Sequence, residues 1–147
     1  MTPSLFPDVN VWLALTHNRH VHHLDAARWF SSITGGTFFF CRFTQIGLLR
    51  LLTNSQVMED EVMGQRQAWR AYRRWYDDRR VEFLREPESS EFEHWFEKLS
   101  ESPGPSTKRW TDAYLAAFAK SAGLTVVTFD RGFPKIKPLN IRILAAE

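Results

Sequence analysis

Three aspartates carry the chemistry legible in this chain: Asp8, Asp112 and Asp130. Each stands where an apolar run meets a turn or a helix start, in LFPDVNVWLAL, WTDAYLAAFA and VVTFDRGF. In a parallel α/β domain such junctions converge at the carboxyl ends of the strands, where these folds place their sites. Carboxylates gathered there repel one another unless a cation neutralises them, so the set reads as a hard-metal site. The chemistry that such a site most naturally serves is phosphodiester cleavage. Taken singly, each acid also has a structural reading: Asp8 and Asp130 as turn residues, Asp112 as a first-turn acid on a helix dipole.

The elements that must position these acids follow from periodicity. Ser4 to Pro7 reads as a first strand, and Asn10 opens a helix through Val11, Trp12, Leu13 and Leu15. The HNRHVHH stretch is a polar turn, followed by a helix from about Leu24 that stops before Gly35-Gly36. Residues 37–41, TFFFC, form a compact buried strand. FTQIGLLRLLTN has helical spacing through Ile46, Leu49 and Leu52, and one long amphipathic helix is expected from Glu61 to about Asp77. Val81 to Leu84 reads as a short strand, and Ser90 to Leu99 and Thr111 to Ala122 as helices, the latter stopped by Gly123. Leu124 to Phe129 and Ile141 to Leu144 read as the last strands. The stretch from Asp112 to Asp130 is therefore one helix, one Gly turn and one strand. Strands alternating with helices give an α/β fold with a parallel sheet covered on both faces.

The 147 residues fit one domain, 1–147. Hydrophobic content of 44% and charged content of 24% are those of an ordinary globular chain, and the net charge of +2 implies little about a polyanionic partner. The 6 Trp and 12 Phe are numerous enough to serve an interface as well as a core. The single cysteine, Cys41, excludes an internal disulfide framework. With no signal pattern and no apolar run near ~20 residues, a cytoplasmic location and no membrane span are expected. No Gly-rich phosphate loop, GxSxG elbow or CxxC pair is present.

Other polar groups compete for a role. His17, His20, His22 and His23 lack the cysteines and paired spacing of a zinc motif and read as a solvated turn. Arg66, Arg70, Arg73 and Arg74 read first as the solvent face opposite Trp69, Tyr72 and Trp75, and second as a phosphate-binding stripe. Arg50, odd within an apolar helix, and Lys108 and Arg109, just before Asp112, are candidate contacts to substrate or partner.

DVNVWLAL, HLDAARWF, TQIGLLRLLTN, TDAYLAAFA and VVTFDRGF together resemble a PIN-domain ribonuclease, and specifically a VapC toxin of a type II toxin–antitoxin pair. The resemblance spans residues 8 to 133. It implies a three-layer PIN-like sandwich with about five mostly parallel strands, a Mg²⁺ site that Mn²⁺ would also fill, and RNA cleavage. Asp8, Asp112 and Asp130 match the family's catalytic and metal-binding acids, and Asn10 and Thr128 its small polar companions, which would orient a ligand carboxylate. The implied partners are an RNA substrate, a cognate VapB-type antitoxin and a second copy of the toxin. One departure stands out: Gly47 falls where the family commonly carries a Glu, which removes one carboxylate unless another segment supplies a further acid. That loss motivates an alternative reading as a catalytically weakened PIN-like module that binds RNA or a partner. A dehalogenase-like or receiver-like phosphoaspartyl protein is disfavoured. DVN lacks the second acid expected in the former, and no lysine is suitably placed for the latter.

Overall fold

The computed structural model describes residues 2–133 and 139–144. Five strands form one sheet in the order β3-β2-β1-β4-β5: β1 Ser4–Pro7, β2 Thr37–Phe40, β3 Val81–Phe83, β4 Thr125–Thr128 and β5 Asn140–Ile143. Every neighbouring pair is parallel. The helices are α1 Val9–Thr16, α2 His23–Ser32, α3 Arg42–Leu52, α4 Ser55–Met58, α5 Gln65–Arg74, α6 Ser90–Ser100 and α7 Thr107–Ala122.

Side chains alternate across the sheet with the strand's period of two. Leu5, Phe38, Phe40 and Val127 face one core with α1, α2, α3 and α5. Phe6 and Val126 face a second core with α6 and α7. The three-layer arrangement expected from the sequence is therefore present. Most of the aromatic surplus is consumed here. Trp12 stacks on Phe40 with ring centroids 3.8 Å apart, and Phe6 on Phe118 at 4.8 Å. Truncating a ring this deeply packed costs about 3–5 kcal/mol. Among the described aromatic side chains, Trp69 and Trp110 are exposed.

Three expectations need correction. The long helix from Glu61 is broken: a 3-10 turn at Glu59–Glu61 precedes α5, and another at Trp75–Asp77 follows it. On α5 the buried face is Ala68 and Tyr72, while Trp69 lies outside with Arg73 over its ring. On α3, Ile46 points to solvent and the buried residues are Thr44, Gln45, Leu48 and Leu52. Periodicity missed this because two of the buried positions are polar. The reason is local. The strand ends at Phe40, and Cys41 becomes the helix N-cap. Its backbone N–H donates to Thr44 Oγ1 at 2.9 Å, so Thr44 is satisfied by the helix start itself. Burial pushes the Cys41 thiol up.

Arg80 binds the layers at the opposite edge. Its guanidinium donates to the carbonyls of Phe30 and Ile33, which close α2, at 2.8 and 2.5 Å. It also pairs with Asp78 and lies over the rings of Phe30 and Phe38. A cation at a helix C-terminus complements the dipole there.

Candidate active site

The site is built at the carboxyl edge of the sheet by β1 and β4. Strand β1 pairs with β4 through Pro7 and Val127, and the Asp8 N–H donates to the Val127 carbonyl at 2.8 Å. Asp8 then leaves the strand in extended geometry and caps α1, its Oδ1 accepting from the Val9 N–H at 2.7 Å. Its other oxygen accepts from the Thr128 hydroxyl at 3.0 Å. Thr128 ends β4, is fully buried, and also accepts from the Asp130 N–H at 3.1 Å. Asn10 spans the same junction. Its Nδ2 donates to Thr128 Oγ1 at 3.4 Å, and its Oδ1 accepts from the Phe129 N–H at 3.4 Å. Asn10 and Thr128 thus tie the ends of two adjacent strands and fix one face of the Asp8 carboxylate.

Asp112 comes from α7, which starts at Thr107 with Ser106 as N-cap, one turn earlier than its apolar pattern suggests. Asp112 therefore sits in the second turn, too deep for a dipole-complementing role, and Lys108 and Arg109 occupy the first. Asp130 sits in the turn after β4, its Oδ1 accepting from the Gly132 N–H at 2.8 Å. Lys108 donates to Asp130 Oδ2, and its ammonium also lies 3.5 Å from Asp112 Oδ2. Asp8, Asp112, Gly47, Arg50, Asn54 and Thr111 line one groove of about 340 Å³. Arg50 is exposed at its rim.

The electrostatics follow from this placement. Burial pushes the Asp8 carboxyl above its ordinary value, opposed by the bonds from Val9 and Thr128 and reinforced by the charges of Asp112 and Asp130. Burial also raises the Asp112 carboxyl, against the pull of Lys108. The Lys108 ammonium holds Asp130 below the usual carboxylate range, and Asp130 in turn raises Lys108. Buried carboxylates under mutual repulsion favour any cation that enters between them. The donors are all oxygen, which suits Mg²⁺ or Mn²⁺. Among the described residues, no group of three His, Cys, Asp or Glu side chains stands ready to hold one ion directly. A site that keeps ligand waters and takes one or two carboxylates is the form this donor set fits.

The remaining candidates separate cleanly. Arg109 turns away: its Nε donates to the Leu99 carbonyl at 3.1 Å and closes the end of α6. The histidines lie at the turn that the sequence suggests, but they are half-buried rather than solvated, and His23 begins α2. The His22 N–H donates to His20 Nδ1 at 3.0 Å, the His22 ring stacks on Phe129, and His23 Nδ1 lies 2.7 Å from the Ala14 carbonyl. Gly47 has a packing reason. A Cβ there would lie 2.6 Å from Val9 Cγ2, because α3 crosses closely over the first residue of α1. Sequence reasoning underrated Lys108, whose signal was a lysine one helical turn before an acid.

The PIN-domain family profile matches residues 5–138. Ribonuclease VapC41 of Mycobacterium tuberculosis is 40% identical over 146 residues, covering 96% of this chain and 99% of the relative. The chain belongs to the PIN-domain family and, within it, to the VapC ribonucleases. Solved structures agree on the fold. M. tuberculosis VapC20, a toxin that cleaves the sarcin-ricin loop, superposes with a TM-score of 0.64 at 20% identity, covering 91% of this chain and 99% of that one. VapBC2 of Rickettsia felis, bound to a DNA fragment from its promoter, gives 0.66 at 12% identity, covering 97% and 99%.

Proposed function

We propose that this protein is a metal-dependent endoribonuclease toxin, with Asp8, Asp112 and Asp130 as its metal-binding and catalytic acids. The observation that carries the reading is the convergence of these acids at one sheet edge, in a chain of the VapC family. Asp8 and Asp112 would hold Mg²⁺ or Mn²⁺, with Asp130 reaching it directly or through water. The bound ion would supply a lower pKa for an attacking water and neutralise charge on the scissile phosphate. The protein's own residues do the rest. Thr128 and Asn10 hold the Asp8 carboxylate in one orientation. Arg50, which lines the groove, would meet a phosphate as it enters. Hydrolysis in this manner leaves a 5′-phosphate and a 3′-hydroxyl.

The partner is a cognate VapB-type antitoxin, which the likeness to VapC and VapBC proteins supports. No described helix is long and apolar enough to cross a membrane. The test is inducible expression in a bacterial host. The protein arrests growth, Asp8→Asn or Asp112→Asn relieves the arrest at equal protein level, and co-expression of the antitoxin suppresses it. Arrest by a well-folded Asp112→Asn protein contradicts the assignment. Partner binding without metal-dependent cleavage favours the weakened-module reading that the missing Glu motivates.

A further inference from the structure

Lys108 is in an unfavourable place for a helix. It sits in the first turn of α7, where the dipole disfavours a cation, and that turn contains no acid. Its pairing with Asp112 four residues on is the poorer of the two orientations for a helical ion pair. Local structure therefore gives no reason for a lysine here. Tertiary structure does. The ammonium reaches across from α7 to the turn after β4 and bridges Asp112 and Asp130, two of the three acids at the sheet edge. Among the described residues, the third, Asp8, receives the Val9 N–H and the Thr128 hydroxyl and no cation.

We infer that Lys108 is a built-in counter-cation of the acidic site, occupying the carboxylate oxygens that a divalent ion needs, so that metal binding requires its withdrawal. The inference rests on the proposed metal site. The side chain suits the role because it is 63% exposed while its partners are largely covered, at 13% for Asp112 and 24% for Asp130. A lysine anchored on a rigid helix by a flexible stem swings into solvent at little cost. While in place it relieves the repulsion between the two carboxylates; once displaced it leaves both free for the ion. Lys108 is on this account a positioning residue that sets the metal concentration at which the site fills, and with it the state of the site before RNA arrives.

The test is calorimetric titration of Mn²⁺ into metal-free wild-type, Lys108→Met, Lys108→Arg and Asp112→Asn proteins, with thermal unfolding of each before metal is added. Met keeps the aliphatic stem and removes the charge. The expected result is Mn²⁺ affinity raised about three- to tenfold in Lys108→Met, the range that loss of two partly exposed ion pairs allows. Lys108→Arg stays near wild type, and metal-free Lys108→Met unfolds at a lower temperature. Unchanged or weakened Mn²⁺ binding by a folded Lys108→Met protein overturns the inference. If Asp112→Asn abolishes binding in that same case, the metal site itself stands. If no variant, wild type included, binds Mn²⁺ into the millimolar range, the metal reading fails and the inference with it.

Discussion

Replacing Gly47 with alanine should destabilise this protein, although alanine is the better helix former. Gly47 lies within α3, and a Cβ built there meets Val9 Cγ2 at 2.6 Å, Cγ1 at 3.1 Å and Cβ at 3.4 Å. Carbon atoms rest at about 3.5–4.0 Å, so the contact needs about 1 Å of relief. Val9 cannot give it by rotating, because its two methyls fill two of three staggered positions and so always occupy at least one of the two that lie 2.6 and 3.1 Å away. The displacement is passed to the start of α1 and to Asp8 beside it. Overpacking of this kind costs about 1–3 kcal/mol. Alanine's helical advantage over glycine returns about 0.5–1 kcal/mol. The net expectation is a loss of about 1–2 kcal/mol, or about 3–6 °C in Tm for a chain of this size. Urea unfolding of wild-type, Val9→Ala, Gly47→Ala and the double variant measures it. The double variant should recover most of the Gly47→Ala loss, giving a coupling term outside the additive range. A Gly47→Ala protein as stable as wild type, or more so, refutes the argument. The same clash bears on Gly47→Glu. A glutamate at this position should strengthen metal binding only once Val9 is also shortened, because its Cβ meets the same obstacle.

Three further outcomes follow. Arg80→Met should cost about 2–4 kcal/mol in thermal or urea unfolding, because it strands the Phe30 and Ile33 carbonyls and the Asp78 carboxylate together. Arg80 holds the folded Asp78 carboxyl below its unfolded value, so the pair stabilises fully above the ordinary carboxylate range. That contribution is lost as pH falls through the folded value, and in an unfolding series the gap between wild type and Arg80→Met should narrow toward acid pH. Thr128→Val should leave Asp8 without its hydroxyl donor, lowering cleavage and weakening Mn²⁺ binding more than it lowers stability, which parallel titration and unfolding separate. RNA cleavage should rise with Mg²⁺ into the millimolar range and reach half its maximum at a lower Mn²⁺ concentration, since among the described residues no group of three acids stands ready to hold one ion directly. Saturation at micromolar Mg²⁺ contradicts that expectation.

The fold was legible because its signals are local. The short apolar runs in SLFP, TFFF and TVVT and the Gly123 stop specify strands and a helix end that the structure reproduces within a residue or two. The three acids were legible because each closes a strand or lies on a helix that must return to the same edge. What the sequence hid depended on tertiary contact. The buried face of α3 includes Thr44 and Gln45, polar residues that an apolar template skips. The contact of Lys108 with Asp130 depends on the turn after β4 coming close to α7, and no spacing along the chain encodes that approach. Gly47 read only as a missing carboxylate, whereas the close crossing over Val9 gives the glycine a structural cause. Arg109, equally basic and equally near Asp112 in sequence, is drawn off by the end of α6.

The measurement that reaches the central claim most directly is cleavage of RNA by purified protein, with end analysis of the products. Wild type and Asp112→Asn are compared with added Mn²⁺ and with chelator, and both are shown to unfold with the same cooperativity. The account predicts fragments with 5′-phosphate and 3′-hydroxyl ends from wild type with Mn²⁺, none with chelator, and none from Asp112→Asn. Equal cleavage by folded Asp112→Asn, or cleavage undiminished by chelator, contradicts it.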